Sequence, residues 1–239
     1  MMKLPFRPSV ALLCGALSLA GCSSQDSSGG DAAPAAQPDA SAQKLDTYNQ
    51  LLRIHNDEMA VTMGHDILDH YPNSAAAKQV QQTLPAIEKR WKENSEKNRL
   101  AALWLYQVSP MEGGTQSTAT IYSSQPSGND RVRLVLRRHT AWGQNAFLFG
   151  SGHGFVCRGN CTIPATFDGK AHGIKAFAPA TGEPALMIRD DRDFIAWLQK
   201  ARKITMDVTA VDGEKKETLV YEVGGFDPAK WQALPKKKK

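Results

Sequence analysis

The sequence lacks the short motifs that mark the common enzyme classes. No serine occupies a Gly-x-Ser-x-Gly nucleophile elbow, because the nearest run, residues 150–154, reads Gly-Ser-Gly-His-Gly. A glycine-rich phosphate loop followed by lysine is also missing. These absences favour a protein that is not an enzyme and that needs no cofactor.

A basic face of the kind that binds nucleic acid is lacking as well. The formal charge of +5 and the pI of 9.0 come from the ends of the chain, which carry Lys3, Arg7 and four lysines at residues 236–239. Without these six side chains the charge falls from +5 to −1. We therefore expect no nucleic acid among the partners and a solvated tail at the terminal lysines.

Long apolar runs are almost absent. Residues 10–19 form one, preceded by the positive charges of Lys3 and Arg7, and it is too short to span a hydrocarbon core of roughly 30 Å. Small residues end it, in the order Leu19-Ala20-Gly21-Cys22. A positive start, a short apolar middle and small residues before a cleavage point are typical of a secretory signal.

The run Leu19-Ala20-Gly21-Cys22 resembles the lipobox of bacterial lipoproteins. The resemblance implies that residues 1–21 are removed as a signal peptide and that Cys22 carries lipid, which anchors the protein to a membrane. Because Ser23 and not aspartate follows Cys22, the similarity to Gram-negative lipoproteins also implies delivery to the outer membrane, with the body in the periplasm. An ordinary secretory signal is the alternative.

The rest of the chain divides by composition. Residues 22–43 contain the lipid-bearing cysteine and then no large apolar side chain, so we expect a disordered tether. Residues 44–102 are predicted to be helical, residues 103–228 to form a β-rich domain, and residues 229–239 to be a basic C-terminal tail.

Apolar residues at helical spacing predict an N-terminal helical hairpin of two to three helices. Gly64 inside it indicates close helix packing, Ser74 is a good N-cap, and Pro85 predicts a kink or a restart of the third helix. The junction at residues 67–74, followed by Ala77, resembles that of a tetratricopeptide repeat. Since only one such junction is present, the resemblance implies a helical hairpin packed on the downstream domain.

After residue 103 the period changes from helix to strand. Short alternating runs separated by turn residues are predicted at residues 104–108, 118–122, 131–137, 146–149, 155–158, 161–167, 174–177, 186–188, 204–211 and 219–223. One helix interrupts them, with Asp190 or Asp191 as its cap and Phe194, Ile195 and Leu198 on its buried side. The predicted fold class is therefore α+β, with a mainly antiparallel β-sandwich or barrel after the helices.

Several pieces of this half resemble periplasmic β domains of the invasion-associated locus B kind and of type VI secretion accessory lipoproteins. They are the runs at residues 133–137, 155–157 and 167–168, the helix at residues 194–204, and the closing Val223-Gly224-Gly225-Phe226. The resemblance implies a secreted, non-catalytic β fold. The close Cys157-x-x-x-Cys161 pair and the added helices depart from that pattern, so no partner is carried over.

The best candidate site contains Cys157 and Cys161, with His153 and His172 nearby in the sequence. Two thiolates and two imidazoles would complete a tetrahedral zinc site. The short cysteine spacing, the glycine-rich surroundings and the oxidising compartment favour a disulfide that closes a tight hairpin, and no metal. Zinc binding and free thiols are the alternatives.

Two other groups of polar residues are candidate sites. His65 and His70, with Asp66 and Asp69, lie on one helix, but the histidines are five residues apart and do not share a face, so a solvated surface is the better interpretation. Arg131, Arg137 and Arg138 either present a positive patch to an anionic partner or alternate along the wet face of a strand. The sequence leaves that question open.

These observations predict a lipid-anchored, non-catalytic binding or scaffolding protein of the bacterial cell envelope, with another envelope protein as its partner. An inhibitor of an envelope-attacking enzyme is one alternative, because small disulfide-pinned β domains suit that task. A metal-dependent hydrolase that uses His153 and His172 is the other.

Overall fold

The computed structural model describes residues 39–150 and 152–234, and this part of the chain has an α+β fold with four α-helices and one nine-stranded antiparallel sheet. Cys22, the predicted signal peptide, the predicted tether up to residue 38, Ser151 and the lysines at residues 236–239 lie outside the described residues. The elements are α1 (Ala40–Arg53), α2 (Asp57–His70), α3 (Ala75–Ala102), β1 (Trp104–Met111), β2 (Gly114–Tyr122), β3 (Arg133–His139), β4 (Gly143–Phe149), β5 (Asn160–Phe167), β6 (Lys170–Phe177), β7 (Ala185–Ile188), α4 (Asp191–Leu198), β8 (Ile204–Thr209) and β9 (Lys216–Tyr221). Within the described residues, none of the helices combines the length and the apolar character needed to cross a membrane.

The helices correct the prediction of an N-terminal hairpin. Three helices, α1 to α3, pack together around their own apolar cluster, and α4 lies far along the chain between β7 and β8. α1 begins at Ala40, before the predicted helical start at residue 44. A Cβ atom on Gly64 would lie 2.8 Å from Leu84 Cδ1, which confirms that this glycine permits close helix packing. The sequence pattern located the apolar faces but did not fix how many helices would share one cluster.

The boundaries of α2 and α3 follow from local chemistry. The Asn56 side chain accepts a hydrogen bond from Met59 N, and Ser74 Oγ accepts one from Ala77 N at 3.0 Å, so the predicted Ser74 cap is confirmed. α3 runs through Pro85 without restarting. Proline removes one backbone donor there, but the buried side chains of Leu84 and Ile87 on either side hold the helix in place.

The strands form one open sheet in the order β1-β2-β3-β4-β7-β6-β5-β8-β9, so the prediction of a β-sandwich or barrel is wrong. In the described part, β1 and β9 are the two ends of the sheet and do not pair with each other. Tight hairpins join β1 to β2, β3 to β4, β5 to β6 and β8 to β9, and each pair extends the same sheet. Alternation in the sequence identified one buried face per strand, but a sandwich and a single curled sheet both need that face.

One apolar cluster lines the inner face of this sheet. It receives buried side chains from all nine strands and from Phe194, Ile195 and Leu198 of α4, as the predicted helix face required. Asp190 stands at the N-cap of α4 but makes no side-chain cap bond. Trp231 is only 1% exposed and belongs to the same cluster, so the folded body continues past residue 228 into the segment predicted as a tail.

Pro164 interrupts the pairing of β5 with β8. Asp168 N donates to Lys203 O, so these two residues are a hydrogen-bonded pair of the antiparallel ladder. Every second pair along such a ladder is hydrogen-bonded, and in this register Pro164 and Asp207 would be one of them. Because proline has no N–H, the ladder ends at Ala165 and Met206. A cavity of about 550 Å³ opens beyond that point.

The helical cluster and the sheet meet at the end of α3. Arg99 donates to Glu222 Oε1 at 2.7 Å, directly after β9, and also pairs with Glu96. Gly225 packs against the backbone of Leu100, where a Cβ atom would lie 2.2 Å from the Leu100 carbonyl carbon. Only Leu103 separates α3 from β1.

Candidate ligand-binding face

The outer face of the sheet carries a row of apolar side chains across four neighbouring strands. The pairing register places Val135 beside Phe147, Phe147 beside Met187, and Met187 beside Phe177. Since side chains alternate along a strand, these residues point away from the core that Leu134, Leu136, Ala146 and Leu148 enter. Three interstrand spacings make the row roughly 14 Å long.

Arginine side chains flank this row and lie over its aromatic rings. The Arg133 guanidinium carbon is 4.6 Å from the centroid of Phe149, and that of Arg137 is 5.0 Å from Phe147 and 5.3 Å from Trp142. A guanidinium that stacks on a ring keeps its N–H edge free for an oxyanion. We call this surface the aromatic–arginine face, and it consists of Arg133, Val135, Arg137, Trp142, Phe147, Phe149, Phe177 and Met187.

The two central guanidiniums have no carboxylate partner. The arginine ion pairs within residues 39–150 and 152–234 involve Arg90, Arg99 and Arg202, and neither Arg133 nor Arg137. Arg137 donates to the neutral Asn145 Oδ1 at 3.0 and 3.3 Å. Burial lowers the pKa of Arg137, and the negative charge of Glu183 opposes that shift only in part. A bound anion relieves desolvation that the nearby negative charge offsets only in part.

The face is concave and large enough for a small ligand. A cavity of about 670 Å³ lies over it, within the range of small-molecule sites. Gln107 and Met111 of β1 line one side, and Pro179 and Glu183 line another. Within the described part of the chain, the charged side chains of the cavity wall are Arg133, Arg137, Glu112 and Glu183. Its positive charge is therefore confined to the two arginines.

A buried histidine positions Trp142. The rings of His139 and Trp142 stack with centroids 3.9 Å apart, and His139 Nδ1 accepts hydrogen bonds from the backbone N–H groups of Ala141 and Trp142. A nitrogen that accepts carries no hydrogen, so the ring hydrogen is on Nε2. Nε2 is buried and has no partner among the described residues. His139 therefore holds the β3–β4 turn, and with it the indole that covers Arg137.

The structure does not bring the two cysteines and two histidines of the predicted site together. Cys157 and Cys161 form a disulfide with Cα atoms 5.6 Å apart, which confirms the predicted bridge. His153 Nδ1 contacts Asp212 Oδ1 at 2.5 Å, and hydrogen bonds to His153 hold the Asp212 pKa below its usual value. His172 lies instead against Trp197, with ring centroids 4.3 Å apart. The two imidazoles thus have different neighbours and do not converge with the sulfur atoms.

The helix histidines also face different partners. His65 Nε2 contacts Glu88 of α3 at 2.7 Å, whereas His70 and Lys44 both contact Asp66. Over the described ranges, no three side chains of histidine, cysteine, aspartate or glutamate are grouped so that they could hold a metal ion.

The three arginines considered from the sequence do not form one patch. Arg137 belongs to the aromatic–arginine face, Arg138 lies 3.7 Å over the ring of Trp231 on the opposite side of β3, and Arg131 lies over Tyr122. Arg133 and the aromatic residues of the face were not predicted from the sequence as site residues. The alternation of arginine in β3 with phenylalanine in β4 was the available signal, but it required the pairing of these two strands.

Comparison with known proteins adds no relative. No protein-family model matches the chain, and neither a curated protein nor a solved structure is detectably similar to it.

Proposed function

We propose that the protein is a lipid-anchored, non-catalytic binding protein of the bacterial cell envelope, and that the aromatic–arginine face binds its ligand. The lipobox-like run Leu19-Ala20-Gly21-Cys22 supports the anchor, and Ser23 after it supports the outer-membrane location. The observation that carries the binding role is the pair of stacked guanidiniums, Arg133 and Arg137, beside an open apolar row without carboxylate partners.

The chemistry of the face defines the ligand class. An apolar or aromatic body fits against the partly exposed side chains of Phe147, Phe177 and Met187, where burial is worth roughly 25 cal/mol per Å². A carboxylate, sulfonate or phosphate group fits the N–H groups of Arg133 and the Nη1 group of Arg137, which the Asn145 side chain leaves free, because charge-assisted hydrogen bonds to guanidinium are the strong ones. The proposed ligand is therefore an anion with an apolar body, presented by another envelope component.

A probe of this class tests the face directly. The full-length protein is titrated with 1-anilinonaphthalene-8-sulfonate, an aromatic anion, and with N-phenyl-1-naphthylamine, which has the same rings without the sulfonate. The variant Arg133→Gln/Arg137→Gln should bind the anion at least tenfold more weakly and the neutral amine with unchanged affinity, since a charge-assisted hydrogen bond contributes roughly 1.5–3 kcal/mol.

A matched control removes the same charge elsewhere. Arg131→Gln/Arg192→Gln changes two arginines outside the face and should bind both probes like the wild type. Equal weakening in the two double variants would mean that net charge and not the face controls binding, and the proposal would fail. Photo-crosslinking in cells from a reactive group at Trp142 should then capture the natural ligand, and the same group at Val156 is the control. If the protein is not catalytic, the captured ligand has the same mass as the free ligand.

A further inference from the structure

Among the described residues, no strand pairs with the outer edge of β1. Thr140 N donates to Thr115 O and Ser123 N to Val132 O, so the odd-numbered residues of β2 bond to β3. The even-numbered ones therefore bond to β1, and their partners there are Leu105, Gln107 and Ser109. It follows that the backbone groups of Tyr106 and Val108 point outward from the sheet, where they have no backbone partner in the part of the chain that the structure describes.

Pro110 agrees with this assignment. It pairs with Thr115 inside the β1–β2 ladder, and its ring nitrogen lies on the outward side, so no ladder bond is lost. The edge thus offers the donors of Tyr106 and Val108 and ends at Pro110. Leu105 and Val108 are 56% and 46% exposed, and this apolar edge carries none of the lysines that protect edges in many proteins.

We propose that this edge pairs with the β1 edge of a second copy of the chain, which forms a dimer with one continuous sheet. Residues 103–111 contain no lysine, arginine, aspartate, glutamate or histidine, so two copies meet without like-charge repulsion. Two identical strands that pair antiparallel are related by a two-fold axis, so the contact is self-complementary and closes at two copies.

The β9 end of the sheet does not offer a second free edge for further copies of the chain. Ser124 N donates to Val220 O, and Val220 N donates to Gln125 O, so a loop of the same chain occupies the outer edge of β9 at Val220. A head-to-tail contact between β1 and β9 would build a filament, and this loop blocks it. Pairing through β1 alone gives a closed dimer.

The dimer would place two aromatic–arginine faces side by side. The proposed dimer does not depend on the proposed function of that face. The two-fold axis is perpendicular to the sheet, so the outer faces of both copies lie on the same side. Because Gln107 and Met111 of β1 line the cavity over the aromatic–arginine face, the two cavities become neighbours. A ligand with two anionic groups would then bind both copies at once.

Amide hydrogen exchange of the full-length protein in detergent tests this pairing. It is measured across a dilution series, and sedimentation gives the oligomeric state at each concentration. Leu105 and Gln107 should exchange slowly at every concentration, because β2 protects them. Tyr106 and Val108 should exchange at least tenfold more slowly in the dimer than in the monomer. The variant Val108→Lys should be monomeric, while Val211→Lys, at a position of similar exposure away from the edge, should still dimerise.

Three results would overturn the proposal. Fast exchange of Tyr106 and Val108 at all concentrations would show an unpaired edge. Slow exchange in a monomer would show that the chain covers its own edge. Protection that appears only after addition of envelope extract would assign the edge to a different partner.

Discussion

At the scale of single residues, Trp231 and Arg138 attach the end of the described chain to the sheet. Arg138 Nη1 donates to Trp231 O at 2.6 Å, and Trp231 Nε1 donates to Ser117 O at 3.2 Å. We predict that Trp231→Ala lowers the free energy of unfolding by about 3–5 kcal/mol, because a buried indole leaves a large cavity. Urea denaturation measures this. Trp142→Ala, which removes a half-exposed indole, should cost far less, and equal losses would contradict the assigned role.

The disulfide should matter less than Trp231. Cys157 and Cys161 close a loop of only three intervening residues, so the bridge restricts the unfolded chain little. We predict that Cys157→Ser/Cys161→Ser costs about 2 kcal/mol or less and lowers the melting temperature by a few degrees. Intact mass before and after reduction, with alkylation, establishes the bridge in protein isolated from cells. Two thiols that alkylate without reduction would refute it.

The residue scale also shows why one feature was predictable and the other was not. Cys157 and Cys161 flank Arg158-Gly159-Asn160, and this turn-forming run made the disulfide predictable, although the predicted hairpin is wrong because residues 155–158 form no strand. Trp231 precedes a lysine run and belongs to no periodic pattern, so its burial depends on a distant strand that only the fold brings near.

At the scale of elements, Gly225 determines how α3 meets the sheet. A Cβ atom there would lie 2.2–2.3 Å from backbone atoms of Leu100 and Ala101, which cannot move aside as a side chain would. We predict that Gly225→Ala lowers stability by roughly 2–3 kcal/mol. Gly224→Ala is the control, since its nearest neighbour would be 3.3 Å away, and it should cost below about 1 kcal/mol in the same denaturation measurement.

The contact of α2 with α3 should depend on pH. The hydrogen bond from Arg90 lowers the pKa of Asp57, and burial opposes this shift only in part. A carboxylate with a lowered folded-state pKa contributes stability above its unfolded value of about 3.9, and that contribution is lost as the pH falls through the folded-state pKa. We predict that Asp57→Asn makes stability less dependent on pH between about 5 and 2. Parallel curves for variant and wild type would exclude this contribution.

The elements were largely readable from the sequence, but their assembly was not. Alternating patterns located all nine strands to within a few residues, and residues 155–158 are the exception, because only Phe155 forms an isolated bridge there. The strand order β4-β7-β6-β5-β8 depends on long-range pairing, which period and turn chemistry do not encode. The aromatic–arginine face could not be predicted for the same reason, because the strand order places its side chains next to each other.

At the scale of the whole molecule, the proposed anchor is testable without any knowledge of the ligand. From Leu19-Ala20-Gly21-Cys22 we predict that the protein incorporates labelled palmitate and sediments with membranes. Cys22→Ala should abolish both, and Ser23→Ala is a matched control that should retain the label. Equal labelling of the Cys22 variant would refute the lipoprotein proposal while leaving the face and its probe assay unaffected.

The direct link between α3 and β1 has a mechanical consequence. α3 is a rod of 28 residues, about 42 Å long, and Leu103 alone connects it to an end strand of the sheet. Tension applied at the start of α3 therefore reaches β1 with almost no slack. Arg99 and Gly225 give the force a second path into the segment that follows β9. Because β1 and β9 are opposite ends of the sheet, we expect a pull on α3 to load both ends together.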